Sequence, residues 1–299
     1  MAKGETKTYR NQAYLFKRYL WLISVLMDYK RLSYPEIAEM WARSSLNDQP
    51  GAILPKRTFF DHINAIQEVF GVSIKNEQRG EYQYYVQNED DIRMDSLRSW
   101  ILDNFSLGNV LLGAKGIENR IILQDVPSSK RWLSTIIDAI KEKRVLLVEY
   151  TSFTLGKVPT LHLCPLFVKL YENRWYVYAH RTDSKVMKHY ALDRIDHIET
   201  TAERFEEEPS VEEYASIAHC FGHSIYPNIP PRNIYVKASS RATHFLDTLP
   251  LHTSQVKVRE DATGAIYQYY FAPTSDFENK LKSWKGQLKL LSEEEANIL

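Results

Sequence analysis

The chain has 299 residues, of which 44% are hydrophobic and 25% charged, and it carries 38 Lys plus Arg against 38 Asp plus Glu. This composition excludes a disordered or collagen-like chain and is long enough for two or three globular domains. The balanced total charge does not point to nucleic acid, but residues 1–80 hold 12 Lys or Arg and 8 Asp or Glu, so a modest positive excess lies at the N-terminal end.

Cysteine content and hydropathy predict a reducing compartment. Cys164 and Cys220 are the two cysteines, whereas a secreted chain of this size more often carries several pairs. The first ten residues contain no apolar signal segment. The longest apolar run, residues 19–27, includes Ser24 and falls well short of the roughly 20 residues that cross a bilayer. We therefore expect a soluble cytoplasmic protein with no membrane partner.

Apolar residues at helical spacing predict three helices in the first part of the chain. Ser33, with Glu36 three residues later, is expected to cap the second helix, and Gly71 is expected to end the third. Two short strands around a polar tip then predict a hairpin. The predicted elements span residues 11–30, 35–43, 55–70, 72–75 and 82–86. Three helices followed by a hairpin are typical of a winged helix-turn-helix domain, here assigned to residues 1–90.

The third helix is the candidate DNA-reading element, because a helix-turn-helix places its second motif helix in the major groove. Lys56 and Arg57 stand at its N-terminus, where free backbone N–H groups also favour phosphate. Arg57 can pair bidentately with guanine or with a phosphate. Thr58 and His62, four residues apart, are expected to share the outward face, and Arg79 at the hairpin tip is expected to reach a flanking groove. These five residues predict double-stranded DNA as a partner.

An alternative for this helix is a solvated face that carries ordinary surface charges. The loop before the helix, residues 44–54, is also longer than the few residues usual in this motif. Both points bear on how this helix docks in the major groove.

The remainder of the chain predicts helices first and strands afterwards. Residues 91–135 are mainly helical, residues 131–143 form a short amphipathic helix, and an acidic break lies at 206–209. Strands are predicted over 145–150, 161–169, 175–180, 189–195, 196–200, 233–238, 254–259 and 266–271, and further helices over 242–248 and 274–284. The expected fold class is α+β.

From residue 136 onward, the residues resemble the WYL-domain transcriptional regulators. Four pieces at the right spacing carry the resemblance, namely Ile136-Ile137-Asp138-Ala139-Ile140 with Val148-Glu149-Tyr150, Cys164-Pro165-Leu166, Arg174-Trp175-Tyr176-Val177-Tyr178-Ala179-His180-Arg181, and Tyr190-Ala191-Leu192-Asp193-Arg194-Ile195. The likeness covers about residues 136–200, and a looser likeness to the family's C-terminal extension covers about 232–291.

The resemblance implies a small Sm/SH3-like β-barrel whose basic and aromatic surface binds an effector, either nucleic acid or a nucleotide. It also implies homodimers and the regulation of stress, phage-defence or mobile-element genes. Tyr150, Tyr176, Arg181 and Arg194 match the family's pattern at functional positions. The implied organisation is a winged helix-turn-helix (1–90), linker helices (91–135), the WYL domain (136–205) and a small α/β extension (206–299).

Alternation along the Trp-Tyr strand supports such a surface. Side chains on a strand alternate between faces, so Trp175, Val177 and Ala179 are expected on one face and Tyr176, Tyr178 and His180 on the other. Trp175 is expected to pack in the core. An aromatic and cationic opposite face suits bases and phosphates. The candidate effector contacts are Tyr150, His162, Tyr176, Tyr178, His180, Arg181, Lys188, His189 and Arg194. For Arg194, an ion pair with Asp193 or Asp196 is an equally good interpretation.

Departures from the family pattern bear on the ligand. Val177 replaces a leucine, which changes only packing, whereas Ala191 stands where the family usually has arginine and His162 stands near another such position. Imidazole is mostly neutral at pH 7, so His162 would hold an anion only when protonated. A different ligand or weaker binding is expected.

Catalytic and metal chemistry find little support in the sequence. His219, Cys220 and His223 lack the second cysteine and the paired clusters of a structural zinc site, and residues 113–116 lack the pattern of a phosphate loop. No Ser-His-Asp arrangement can be assigned. We therefore expect no metal, no cofactor and no enzymatic activity.

The sequence as a whole predicts a ligand-responsive bacterial transcriptional regulator that binds a palindromic operator as a homodimer. Two alternatives stay open. One is a nucleic-acid sensor of a phage-defence system that acts through protein contacts, and the other is an enzyme that uses the barrel as a substrate platform.

Overall fold

A computed structural model of the chain describes residues 2–47, 49–77, 80, 82–94, 96–113, 120–122, 130–153, 155–226 and 228–298. The chain forms two compact units, Met1–Leu123 and Gln124–Leu299. Helices dominate the first unit and antiparallel sheets the second, which confirms the mixed α/β class. None of the helices in these described ranges is both long and apolar enough to cross a membrane.

The first unit consists of helices followed by a hairpin and two further helices. Its elements are α1 (Ala2–Tyr29), α2 (Tyr34–Arg43), α3 (Lys56–Phe70), β1 (Ile74–Asn76), β2 (Tyr84–Val86), α4 (Glu89–Met94) and α5 (Ser96–Gly113). The predicted caps are present: the Ser33 N–H donates to the Glu36 carboxylate at 2.7 Å, and Gly71, at φ 64°, ends α3. Local capping chemistry therefore defines where α2 begins and α3 ends.

One apolar core holds the first unit together. It is formed by buried side chains from α1, α2, α3 and the hairpin, among them Leu22, Leu26, Ile37, Trp41, Phe59, Ile66 and Val86. Leu32 joins the hairpin as a short third strand, because its N–H and C=O pair with those of Tyr84 at 3.1 and 2.7 Å. Helix α5, predicted as a linker, also contributes Leu102 to this core, and Ser24 donates to Ser106 at 2.8 Å.

The long connection between α2 and α3 is organised by a buried asparagine. Asn47 is 5% exposed, and its Nδ2 donates to the carbonyls of Ala52 at 2.9 Å and Trp41 at 3.3 Å. Its Oδ1 accepts from the N–H of Gln49 at 3.1 Å. These bonds tie three backbone groups to one buried side chain, so the connection has a specific conformation at these residues.

Replacement of Asn47 by alanine is expected to lower the free energy of unfolding by about 1–3 kcal/mol, because the Ala52 carbonyl loses its donor and the Gln49 N–H loses its acceptor. Urea unfolding followed by circular dichroism measures this change. Ser45→Ala, an exposed position in the same connection, is the control and should leave stability nearly unchanged. Equal stability of the two variants would contradict the structural role of Asn47.

The second unit begins with α6 (Leu133–Glu142), which packs against a curled antiparallel sheet. The strands are β3 (Arg144–Ser152), β4 (Gly156–Lys157), β5 (Leu161–Tyr171), β6 (Arg174–Arg181), β7 (Ser184–Ala191) and β8 (Ile195–Arg204). They pair in the order β4-β3-β5-β6-β7, and β8 returns to pair with β3. The sheet encloses a core that includes Ile136, Val148, Leu163, Val177 and Ala179.

The predicted strand over residues 189–195 is wrong in its second half. Strand β7 ends at Ala191, and a 3₁₀ turn, Leu192–Arg194, reverses the chain before β8. The turn allows Ile195 to pair with Tyr150 on β3. Because Ala191 and Leu192 are both buried, the apolar pattern across the turn looks like a continuous strand.

The rest of the second unit is a β-α-β-β-α-β domain preceded by a helix. The elements are α7 (Val211–Ala218), β9 (Arg232–Ser239), α8 (Ser240–Thr248), β10 (Val256–Asp261), β11 (Gly264–Phe271), α9 (Ser275–Ser283), β12 (Leu288–Leu291) and α10 (Glu293–Ile298). The strand order β10-β11-β9-β12, antiparallel throughout, is ferredoxin-like. Sequence reasoning missed α7, β12 and α10. The capping box formed by Ser210 and Glu213 is a sequence signal that predicts the start of α7.

Candidate DNA-reading helix and effector cleft

The N-terminus of α3 presents two exposed cations. Pro55 is the N-cap, and Lys56 and Arg57 occupy the first turn, which contains no acidic residue. Lys56 Nζ lies 5.9 Å from the centre of the Tyr34 ring, and Thr58 is half-buried. Cations at a helix N-terminus disfavour the helix, whereas an anion placed there is stabilised. Lys56 and Arg57 therefore destabilise the N-terminus of α3 slightly, but they favour the binding of an external anion there.

The expectation that His62 shares the outward face is wrong. Its side chain is buried, with 3% exposed, and its Nε2 lies 3.2 Å from Nη1 of Arg18 on α1. The Tyr19 ring meets it edge-on at 4.9 Å. A spacing of four places two residues on one helical face, but it does not say which face the core covers. Arg79, the fifth predicted contact, lies outside the described residues.

Burial shows which face of α3 is outward. Beyond Arg57, exposed residues recur every three or four positions, at Phe60, Asp61, Asn64, Gln67 and Glu68, and Val69 is exposed as well. Asn64 and Gln67 carry the amides that can pair bidentately with adenine, and sequence reasoning did not select them. Continuing the helical period from Arg57, instead of from Thr58, would have found both.

The burial of His62 predicts a pH-dependent stability. Burial, followed by the charge of Arg18, lowers the pKa of His62 from 6.5 to about 4, against a smaller opposing effect of Asp61. Between these two values the unfolded chain binds more protons than the folded chain, so the free energy of unfolding should fall as the pH drops from 6.5 to 4. Urea titrations at several pH values test this, and His62→Gln should show a weaker pH dependence. Identical slopes for both proteins would contradict it.

The predicted alternation along β6 is present, and it divides the candidate effector contacts between two faces. Val177 and Ala179 belong to the core enclosed by the sheet, with Trp175 packed against it. Tyr176 and Tyr178 lie on the opposite face with Ile217 of α7. This face is covered by the chain that follows the acidic break, so the open aromatic surface expected there is wrong.

Tyr178 and His180 are held under this covering segment. Tyr178 is fully buried, and its hydroxyl donates to the carbonyl of His223 at 2.6 Å. His180 Nε2 lies 2.6 Å from Oε1 of Glu213 on α7. Lys169 of β5 donates to the carbonyls of Ile217 and Cys220 at 3.0 and 3.3 Å. These contacts fasten residues 211–223 to the sheet, so Tyr178 and His180 are structural here.

Four other predicted effector contacts lie apart from Tyr176. Tyr150 is buried, with its ring edge-on to Tyr190 at 5.3 Å, and Arg181 pairs with Asp183 at 2.5 Å. Lys188 and His162 are exposed. Register places Arg181 opposite Leu163, which faces the enclosed core. One small ligand therefore does not contact all nine predicted residues in this conformation.

Arg194 does not form the alternative ion pair with its neighbours. Its guanidinium carbon lies 3.6 Å from the centre of the Phe153 ring, and its Nε is buried with no hydrogen-bond partner among the described residues. Asp193 instead pairs with Arg174 at 3.6 Å, and Asp196 accepts from Thr151 at 2.8 Å. Arg194 is thus held by a ring and not by a carboxylate.

Tyr176 lies in an aromatic cluster formed largely by histidines. The rings of Tyr176 and His223 are stacked at 4.4 Å and 18°, and His189 meets His223 edge-on at 5.1 Å. Burial, followed by the charge of His223, lowers the pKa of His189 to about 4. Burial also lowers the pKa of His223, against the opposing charge of Asp276. Burial therefore favours the neutral form of both imidazoles.

A cleft of about 530 Å³ opens beside this cluster. The end of the β5–β6 hairpin forms one wall and α9 forms the other, with His223 between them. The lining residues are Tyr171, Glu172, Arg174, Tyr176, His223, Asp276, Asn279, Lys280 and Ser283. Only Tyr176 was predicted from the sequence, because α9 lies about a hundred residues further along the chain. Within the described residues, no group of three or more His, Cys, Asp or Glu side chains is arranged to hold a metal ion.

Comparison with protein families matches residues 131–200 to the WYL domain. The chain contains a WYL domain. This confirms the resemblance seen over residues 136–200. No curated protein matches the chain significantly.

Similar solved structures include Proteasome accessory factor B/C (PafBC) of Arthrobacter aurescens, at 16% identity and a TM-score of 0.27. That match covers 89% of this WYL-domain chain and 47% of the other, so the chain spans about half of its length. A CRISPR Cas-related protein matches at 12% identity and a TM-score of 0.38, covering 80% of this chain and 69% of the other.

Proposed function

We propose that this WYL-domain protein is a ligand-responsive transcriptional regulator whose N-terminal unit binds duplex DNA as a winged helix-turn-helix. The observation that carries the proposal is the pair of exposed cations, Lys56 and Arg57, at the N-terminus of α3 in a chain that also contains a WYL domain. In this assignment the curled sheet of β3–β8 is the Sm-like barrel of the WYL domain. The protein is neither an enzyme nor dependent on a cofactor.

The exposed face of α3 supports the DNA-binding assignment. Arg57 is placed for guanine or phosphate, and Asn64 and Gln67 lie about two and three turns further along the same face for adenine. Asp61 and Glu68 lie on this face too, and their carboxylates would repel the phosphates of the DNA backbone wherever they approached it. A face that mixes both charges with amides suits base reading in a groove better than nonspecific attraction to the backbone.

The regulatory step that we propose is a change in operator affinity on effector binding. Two copies of the chain bind a palindromic site, and a nucleic-acid or nucleotide effector engages the WYL domain. For the effector to act, it must bind two arrangements of the dimer with different affinity, and operator binding then changes reciprocally.

A second candidate is a nucleic-acid sensor of a phage-defence system that acts through protein contacts. The exposed apolar residues of α5 favour it, since Leu97 is 64%, Trp100 43% and Phe105 40% exposed. Salt dependence separates the two functions. Binding to duplex DNA through several phosphates weakens steeply as salt rises, whereas an apolar protein contact does not.

Genome-wide capture of the DNA bound by the full chain in its native cells tests the proposal. We expect recovery of a few palindromic sites, and binding of the purified protein to those duplexes should weaken steeply with salt. Recovery of no enriched sequence, or a flat salt dependence of duplex binding, would overturn the regulator assignment and favour the sensor.

A further inference from the structure

The cleft beside Tyr176 has the features of a built binding site. Its hairpin wall ends in a tight turn, where Glu172 and Asn173 both adopt positive φ, at 45° and 64°. Such a turn sets Tyr171 directly opposite Arg174. On the other wall, Asp276, Asn279, Lys280 and Ser283 recur every three or four residues and so form one face of α9.

The floor of the cleft is aromatic. His223, with 25% of its side chain exposed, and the half-buried Tyr171 present more of this surface than Tyr176, which is 5% exposed. Tyr176 and His223 are stacked, and the Tyr171 ring lies 6.1 Å from His223 at 32°. His223 is held in place by Asp276, whose Oδ2 accepts from the N–H groups of His223 and Ser224 at 3.1 and 3.3 Å. Stacking on aromatic rings lets a protein bind a nucleic-acid base whatever its identity, because every base has a flat π face.

One buried polar atom at the cleft lacks a hydrogen bond. His223 Nδ1 lies 3.3 Å from Oδ2 of Asp276, yet it is buried with no hydrogen-bond partner among the described residues. This atom therefore faces the Asp276 carboxylate, which helps to orient the His223 ring beside the cleft. Asn279 adds an exposed amide that can both donate and accept.

Two cations at the cleft are held only by exposed ion pairs. Lys280 Nζ lies 3.1 Å from Glu172, and the Arg174 guanidinium lies 3.6 Å from Asp193. The Lys280 and Arg174 side chains are 36% and 45% exposed. Exposed pairs of this kind contribute little, whereas phosphate bound to Arg and Lys forms strong charge-assisted hydrogen bonds. A phosphate group can therefore displace the carboxylates.

We infer that the cleft binds a nucleoside phosphate, with the base against Tyr171 and His223 and the phosphate between Arg174 and Lys280. This inference rests on the proposed function and names the site and chemistry of its effector. The cleft volume of about 530 Å³ falls within the usual range for small-ligand sites of roughly 300–1,000 Å³. The same chemistry is offered by a free mononucleotide and by the terminal nucleotide of a single strand.

Isothermal titration calorimetry of the full chain tests the inference. The probes are AMP, GMP, CMP and UMP, with adenosine, ribose 5-phosphate and inorganic phosphate for comparison. At least one mononucleotide should bind about tenfold or more tightly than inorganic phosphate and ribose 5-phosphate, which lack the base. If AMP binds, it should also bind about tenfold or more tightly than adenosine, which lacks the phosphate. A ten-residue thymidine strand, with and without a 5′-phosphate, distinguishes the sources. Tighter binding of the phosphorylated strand than of all four mononucleotides would assign the site to strand ends.

Variants locate the binding. Lys280→Ala and Arg174→Ala should each weaken the best phosphorylated probe about tenfold, equivalent to about 1.4 kcal/mol. Lys282→Ala removes an exposed charge from the last turn of the same helix without touching the cleft, and it should bind as the unmodified chain does. Thermal unfolding of all three variants checks that they fold.

Three results would overturn the inference: no binding of any mononucleotide or strand end, equal binding of inorganic phosphate, or equal affinity in Lys280→Ala and Lys282→Ala. Binding of the same preparations to the captured duplex, without added nucleotide, is measured in parallel. Duplex binding without nucleotide binding would remove the cleft assignment and leave the regulator proposal intact. Loss of duplex binding would count against the proposed function itself.

Discussion

Replacement of Arg57 by alanine is expected to lower the affinity for the captured duplex by roughly 5- to 150-fold, equivalent to about 1–3 kcal/mol. Arg57 is exposed in the first turn of α3, where a guanidinium and the free helix N–H groups act on the same phosphate or base edge. Fluorescence anisotropy with labelled duplex, at fixed salt, measures the change. If Arg57 reads guanine, the variant should also lose preference for one base pair of the site.

Arg98→Ala is the matched control, since it removes the same charge from the same unit. Arg98 lies beside Gly71, at the opposite end of α3, and a helix of 15 residues is about 22 Å long. The two variants have equal net charge, so an effect of total charge would weaken both alike. Equal loss of affinity in Arg57→Ala and Arg98→Ala would remove the specific role of Arg57.

Replacement of Gly222 by alanine is expected to be strongly destabilising, by about 2–5 kcal/mol. Gly222 has φ +87°, and a Cβ built there lies 2.2 Å from Oδ2 of Asp276 and 2.6 Å from its Cβ. Asp276 cannot simply swing away, because its carboxylate accepts from the backbone of His223 and Ser224. The variant must therefore break these bonds or distort the loop, and the cleft should lose its nucleotide affinity as well.

Gly286→Ala separates the two causes of that loss. Gly286 lies in the same unit with φ +82°, but a Cβ there meets nothing within 4 Å. Its free energy of unfolding should therefore fall only by the conformational cost of a positive φ, about 1 kcal/mol. Urea unfolding of both variants measures the difference. Similar destabilisation of the two variants would mean that contact with Asp276 does not matter. Retained nucleotide binding in a folded Gly222→Ala variant would show that the Asp276 position is not needed for the cleft.

Local features of the sequence predicted most of the secondary structure, because capping and periodicity act within a few residues. Ser33 with Glu36 and Gly71 mark a helix start and a helix end that the structure contains. The faces of β6 follow from alternation alone. The 3₁₀ turn at Leu192–Arg194 was missed because its cause is non-local: β8 must reverse to pair with β3.

The sequence by itself determined most of the element order, the mixed α/β class and the WYL domain, since each depends on patterns that are short and contiguous. Tertiary structure alone decided which faces are covered. His62 turns inward because Arg18 and Tyr19 of α1 pack over it, and Tyr178 is closed off by a segment that reads as an acidic linker. The candidate cleft joins Glu172 to Lys280, 108 residues apart. Periodicity shows that two residues share a face, but only the packed chain shows what that face meets.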